Sequence, residues 1–367
     1  MKKILVIALA LASVNAFGSR ARMTALGNAE HLLDSQTIYT NPSDMFYVGG
    51  DFAALESGVT TPTTEGTNYE GSLVRSMGDA KLGLALGHQS KNASSYAGGL
   101  RQGLGGGFVA TANANQQNPL ELSYGMKAGD TAYAGTLVYS NYNDKKNSEK
   151  ETSTGLRLGM RAGAIDAAVA LGLVNTVDTL TTKYKGTLGV SAKVGYTIDS
   201  MYTFAKVAAA GFKTENATTG AEQLKFDTTD IQVGVVSSMK KDGSEFFYGA
   251  KLVSTSAKTN NAVAVTENKV SVLNLPITMG LEVDASSWMV LRGSLTQSLV
   301  LLNNSKSETT PVAGTDFEFS PGANSTTAAF GAGLKFNKLT LDGTILAATQ
   351  TLNTTALLGQ VGLTYMF

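Results

Sequence analysis

Two histidines, His31 and His88, are the entire imidazole complement of this 367-residue chain, and it contains no cysteine. General acid–base catalysis therefore has few candidates, and thiolate nucleophiles, thiolate metal sites and disulfides are excluded together. Neither histidine has a second ligand at metal-binding spacing, and the Asp- and Asn-bearing polar stretches match no calcium loop. No metal or other cofactor is expected. His88-Gln89-Ser90 sets a hydroxyl two residues from an imidazole at the start of a polar stretch, which is the least that a hydrolytic pair requires. Gly98–Phe108 reads GGLRQGLGGGF, yet it lacks the Lys-Ser/Thr ending and the strand-to-helix context of a phosphate-binding loop. No catalytic residue is assigned, and no enzyme is expected.

Charge placed by alternation is the remaining chemistry. Lys127, Arg157, Arg161, Lys193, Lys251, Arg292 and Lys335 fall on the polar face of segments whose other face is apolar, as do Glu70, Glu121, Glu282 and Asp284. Lining a lumen, they would make a mildly basic wall, and rings of fixed charge set ion preference in a pore. Weak anion selectivity is one expectation. The other is simply a wet lumen, in which polar side chains cost nothing.

The elements that must hold these residues show a period of two, in segments of about ten residues, which is the trace of a membrane β-barrel. Val361, Leu363, Tyr365 and Phe367 share one face of the last segment, with Gln360, Gly362, Thr364 and Met366 on the other. The same alternation runs through Leu120–Lys127, Leu156–Arg161, Leu188–Tyr196 and Phe330–Phe336. Tight connectors recur at Gly78-Asp79, Ala128-Gly129-Asp130, Gly163-Ala164, Asp199-Ser200, Lys241-Asp242-Gly243, Ala285-Ser286 and Asn337-Lys338. Between them lie polar stretches near 57–66, 89–118, 142–151, 175–183, 214–225, 257–268, 301–325 and 348–355, read as outer loops. The pattern predicts an all-β fold, a transmembrane antiparallel β-barrel of about 16 strands with 14 as the alternative. Closure follows from the need to pair every backbone N–H and C=O in hydrocarbon. Pro276 falls inside a strand, where it cannot donate to the ladder, so a bulge or kink is expected there.

The chain opens with MKKILVIALALASVNA, two lysines ahead of an apolar stretch too short to span a bilayer. Residues 1–16 are read as a cleavable signal peptide, 17–45 as a short, partly helical segment that plugs the lumen, and 46–367 as the barrel. With 29 basic and 29 acidic residues, loss of the two signal lysines leaves the mature chain slightly acidic, so no nucleic acid is expected as a partner. Charged residues make up 16%, mean hydropathy is near zero, and no long apolar run follows the leader. Export to the bacterial outer membrane fits these facts better than a soluble core or a helical membrane protein.

Ahead of the barrel, Leu26-Gly27, Asp34 and Asn41-Pro42 resemble the N-terminal segment of FadL-like outer-membrane transport proteins. Ser43 and Asp44 depart from that pattern, which carries Ala and then Gly after the Pro. Leu275-Pro276, Gly280-Leu281-Glu282, Trp288 and Leu291-Arg292-Gly293 are a second echo. The resemblance implies a 14-stranded barrel, an N-terminal plug and hydrophobic molecules as cargo. His88-Gln89-Ser90 is also similar to the His-x-Ser pair of outer-membrane phospholipases, but that motif continues Asn-Gly, where Lys91 and Asn92 follow here. The last strand, with Val361, Leu363, Tyr365 and Phe367, resembles the segment that the barrel-assembly machinery recognises. The sequence thus points to a channel for passive diffusion of small solutes, either an open porin or a plugged transporter of hydrophobic molecules. The alternative is a structural or assembly barrel that anchors a secretion or cell-surface partner. Outer-membrane lipid surrounds either one, and a homo-oligomer is compatible with both.

Overall fold

The computed structural model describes residues 19–58, 69–88, 119–146, 148–262, 266–309, 312–315, 325–348 and 360–367. The expected signal peptide, the glycine-rich stretch at 98–108 and most of the loops at 57–66, 89–118 and 348–355 lie outside the described residues. The strands are β1 (Phe52–Gly58), β2 (Tyr69–Met77), β3 (Ala80–Leu86), β4 (Leu120–Ala128), β5 (Thr131–Asp144) and β6 (Glu149–Ala162). They continue with β7 (Ile165–Asp178), β8 (Thr182–Gly186), β9 (Gly189–Ile198), β10 (Met201–Asn216), β11 (Glu222–Lys241) and β12 (Ser244–Asn261). The rest are β13 (Thr266–Ser286), β14 (Met289–Thr309), β15 (Val312–Thr315), β16 (Ser325–Phe336), β17 (Leu339–Ala348) and β18 (Gln360–Met366).

Every pairing is antiparallel, and β1 pairs with both β2 and β18, which closes the sheet on itself. β8 and β9 both lie between β7 and β10, and β15 and β16 both border β14, so each of these is one strand in two pieces. Sixteen strands circle the barrel. The count of 14 that the family resemblance implied does not hold.

Six of the seven tight connectors fall where turn chemistry puts them. Gly78, Gly129, Gly163, Asp199, Asp242 and Asn337 open two-residue turns with φ between 49° and 66°, the left-handed start that suits the twist of a hairpin. The seventh is Ser287-Trp288, two residues beyond Ala285-Ser286, because a register shift between Asp284 and Ser286 extends the hairpin. Several stretches read as outer loops are strand instead. β10 runs to Asn216, β11 starts at Glu222, β12 runs to Asn261 and β13 starts at Thr266, while β13 and β14 each reach 21 residues. A span needs only roughly 9–11 residues. Their polar ends therefore stand beyond the apolar belt, where Thr, Ser, Asn and Lys keep the ladder going while Phe212, Phe226 and Ala257 share a buried cluster on one face of it. Polarity marked the edge of the membrane there, not the end of the strand.

Pro276 behaves as its missing N–H requires: the β12–β13 ladder skips Leu275 and Pro276, and the β13–β14 register shifts at Leu273/Asn274. Around the barrel the outward face is apolar and the inward face polar. Leu122, Tyr124, Val194, Ile231, Val233, Met279 and Phe330 are exposed, while Glu121, Asp166, Glu245, Glu282, Arg292 and Asp342 are buried. That arrangement is inverted relative to a soluble barrel and suits a lipid surround.

Candidate site at the inner wall

Residues 19–48 supply partners for many of these inward charges. Ser19 caps a short helix, Arg20–Ala25, by accepting from the Arg22 N–H at 3.2 Å, and Gly27 ends it at φ 65°, a conformation that favours glycine. Asp34 caps a 3-10 turn at Ser35–Tyr39 by accepting from the Gln36 N–H at 3.0 Å. Asn41 caps a second at Pro42–Phe46 by accepting from the Ser43 N–H at 3.2 Å, with Pro42 at its first position. Leu26, Ser43 and Met45 are fully buried, and Asp34 and Asn41 nearly so. Burial of this extent in so short a segment requires walls around it.

Those walls are the inward faces of the barrel. Arg22 donates to Glu282 of β13 at 2.8 and 3.0 Å and to Asp34 at 2.8 Å. Glu282 also accepts from Arg292 of β14 at 2.6 Å, Arg292 donates on to Asp342 of β17, and the Ser19 hydroxyl donates to Asp342 at 3.1 Å. Signs alternate along this chain, so each buried charge has opposite neighbours, which is the condition for tolerating it. On other strands, Arg161 of β6 donates to Asp44 at 2.8 and 2.9 Å, and His31 meets Glu245 of β12 at 3.0 Å. Glu30 is held by Lys206 of β10 and by Lys193 of β9. Arg20 pairs with Glu70 of β2, and Gln36 donates to Glu56 of β1 at 2.7 Å. Lys127 of β4 lies 5.7 Å from the Phe46 ring and 5.2 Å from that of Tyr47. One segment with partners on β1, β2, β4, β6, β9, β10, β12 and β13 sits in the space that those strands enclose.

Inward glycines make the fit close. A β-carbon on Gly159 would overlap Asn41 and Pro42, one on Gly362 would overlap Ser19, and one on Gly331 would press on Ala25. Two apolar clusters complete the packing: Leu26, Ala29 and Leu32 against Val236 and Phe247, and Ile38, Met45 and Val48 against Phe52, Val74 and Met366.

Of the residues that the sequence placed on the wall, Arg157 is bound by Glu121 at 2.7 Å through both guanidinium ends, Lys335 by Asp284 at 2.8 Å, and Lys251 donates to Gln232 at 3.3 Å. Glu56, Asp166, Asp230, Glu245 and Asp342 are buried acids that the sequence reading left out, and they offset much of its basic wall. Strand alternation carried the signal for Asp342, which falls with Thr340 and Thr344 on the face opposite Leu339 and Leu341. Asp44, where the chain departs from the FadL-like pattern, is the residue that holds Arg161. His88 stacks on Tyr39 with ring centroids 3.6 Å apart and meets Glu70 at 2.9 Å, while Gln89 and Ser90 lie outside the described residues. In the last strand, Phe367 packs edge-on against Tyr365 at 5.5 Å, and the Arg75 guanidinium lies 4.7 Å from its ring.

No family model matches the sequence, and no curated protein matches it. Among solved structures the chain is similar to the CymD monoaromatic hydrocarbon channel, at 9% identity over 96% of this chain and 99% of that one, with a TM-score of 0.44. It is similar to the toluene transporter TodX of Pseudomonas putida at 12% identity, over 95% and 96% of the two chains, with a TM-score of 0.38. OmpT, an outer membrane protein of Vibrio cholerae, is 10% identical over 86% and 96%, with a TM-score of 0.40.

Proposed function

We propose that this chain is a bacterial outer-membrane barrel in which residues 17–45 plug the lumen, and that small solutes diffuse passively through it when the plug gives way. The observation that carries the reading is the ring of ion pairs from Arg20, Arg22, Glu30, His31 and Asp44 to inward charges on six strands. A tail outside the barrel could not satisfy them. The segment packs closely on the wall, and a cavity of about 20 Å³ beside Ile38, Tyr39 and Glu121 has room for about one water. Passage therefore requires the segment to shift. Hydrophobic molecules are the cargo that the FadL-like motifs favour, whereas small hydrophilic solutes would need an open lumen. Planar-bilayer recording of refolded mature protein, with and without residues 17–45, tests the proposal. Deletion should raise conductance severalfold, and unchanged conductance would overturn the plug.

The same close packing supports a second reading, a barrel that anchors a secretion or cell-surface partner. Under it, both forms would stay silent in the bilayer, and a stoichiometric partner would be recovered with the full-length protein.

A further inference from the structure

Above the apolar belt, the outward face of β8 and of β10 to β14 carries its lysines in rows. Lys258 of β12 stands opposite Lys269 of β13 in the ladder, and Lys269 stands opposite Lys306 of β14. Lys185, Lys213 and Lys225 form a second row across β8, β10 and β11. Like charges directly across a strand pair repel, so each row is a cost to the sheet. Acids offset part of it. Glu215 meets Lys185 and Lys213 at 2.7 and 2.9 Å, and Glu267 meets Lys258 and Lys269 at 3.0 and 2.7 Å. Asp227 meets Lys225 at 3.3 Å, and Glu308 stands opposite Glu267. Five of the six lysine side chains still keep 41–53% exposure.

The order of residues along β12, β13 and β14 sets the depth of the first row. Next below it, toward the belt, come Ser256, Ser271 and Asn304, paired across the same three strands and all exposed. Below those come Ser254, Leu273 and Leu302, again paired, with Leu252 two residues further down β12. Four residues of tilted strand rise roughly 10 Å, so the lysines stand where their stems can lean into the head-group layer. The short turns lie at the other end of the barrel, so this face meets the outer leaflet. On β2 and β3 the loop ends carry Tyr69 and Leu86 outward instead, at 73% and 54% exposure, so the lysine rows belong to one side.

We propose that the outward face of β12 to β14 binds a phosphorylated glycolipid of the outer leaflet. Its acyl chains lie along Leu252, Leu273 and Leu302, its sugar hydroxyls bond to Ser256, Ser271 and Asn304, and its phosphates sit on Lys258, Lys269 and Lys306. Bound phosphate relieves the repulsion that the lysine row imposes on its own ladder. The proposal rests on the barrel spanning the outer membrane, as proposed above, and not on any plug.

The test is native mass spectrometry of refolded mature protein released from a non-ionic detergent and titrated with diphosphoryl lipid A or with its dephosphorylated form. The parent should retain one diphosphoryl lipid A in preference to the dephosphorylated lipid, and millimolar inorganic phosphate should not displace it. A lysine at a membrane surface is worth about fivefold in affinity, and Glu267 already offsets part of the row, so joint Lys258→Gln, Lys269→Gln and Lys306→Gln should weaken binding about tenfold. Joint Lys240→Gln, Lys241→Gln and Lys338→Gln removes the same charge near the turn end and should leave binding unchanged. Heat-dependent gel mobility confirms a folded barrel in each variant. Equal binding by parent and row variant, equal loss in the turn-end variant, equal retention of the dephosphorylated lipid, or displacement by free phosphate would each overturn the lipid site. Failure of the parent to insert into lipid bilayers would instead overturn the membrane reading on which the site depends.

Discussion

Two walls of the barrel grip the same segment in different ways. On the β13–β17 side, Arg22, Asp34, Glu282, Arg292 and Asp342 alternate in sign, and their side chains are 0–5% exposed. On the β9–β12 side, Glu30 serves two lysines that retain 14–25% exposure, and a third cation stands by with no acid of its own. The first grip is dry and alternates in sign, so loss of any member strands a buried charge. On the second, Lys193, Lys206 and Lys251 outnumber the nearby Glu30 and Asp166, and the lysines that hold Glu30 keep some contact with water. The two walls thus hold the segment with different charge balance and different access to water.

Arg22→Met should break the anchor, since it leaves Asp34 and Glu282 facing each other without their shared cation. Truncating one partner of a buried pair costs about 3–5 kcal/mol. The expected outcome is rapid hydrogen exchange over residues 20–26 and raised conductance, with the barrel still folded. A protected helix in the variant would show that the anchor lies elsewhere. Gly159→Val attacks the fit without touching charge, because its side chain would invade the space of Asn41 and Pro42. Overpacking of this kind costs about 1–3 kcal/mol. Faster exchange should appear at residues 41–46 while the Arg22 region stays protected.

Removal of Phe367 is the control that touches neither wall. It deletes the edge-on contact with Tyr365 and the Arg75 cation above the ring, together about 0.5–1.5 kcal/mol. The fraction of protein inserted into the membrane should fall, while inserted molecules keep the parent's conductance. Altered conductance per molecule would mean that the last strand also shapes the lumen.

Acidification should give the smallest effect. Burial raises the Glu30 carboxyl, but Lys206 and Lys193 outweigh it and hold its pKa below the ordinary glutamate value. A carboxyl depressed on docking adds stability that is complete above its undocked pKa and fades as pH falls through the docked one. The Glu30 share of any acid-dependent rise in conductance should therefore appear only below about pH 4.5, whereas Asp34 and Asp44, whose carboxyls burial raises, act in the opposite direction. Glu30→Gln should remove that acid-dependent rise.

Much of the barrel is legible in the sequence because its rules are local. Leu122, Tyr124 and Met126 face out because side chains alternate along a strand, and Asp199-Ser200 or Asn337-Lys338 turn the chain because those residues tolerate a left-handed start. Where the rules mix, reading fails. Thr255, Ser256 and Lys258 look like the approach to a loop, yet they continue β12, because the ladder is paired on both sides and its buried face is held by the Thr255–Asp230 hydrogen bond and by Ala257 in a cluster with Phe212 and Phe226. The Asp284/Ser286 shift moved the Trp288 turn for a similar reason, as it depends on the partner strand.

By itself the sequence determined the alternation, the turns and a polar lumen bounded by an apolar belt. Only the tertiary structure decided which charges meet. Arg22 finds Glu282, 260 residues away, and Ser19 finds Asp342 across 323. Alternation assigns a side chain to a face, but height and neighbour on that face are set by the stagger of 16 closed strands and by the path of residues 19–48 among them. Neither quantity is written in any one segment.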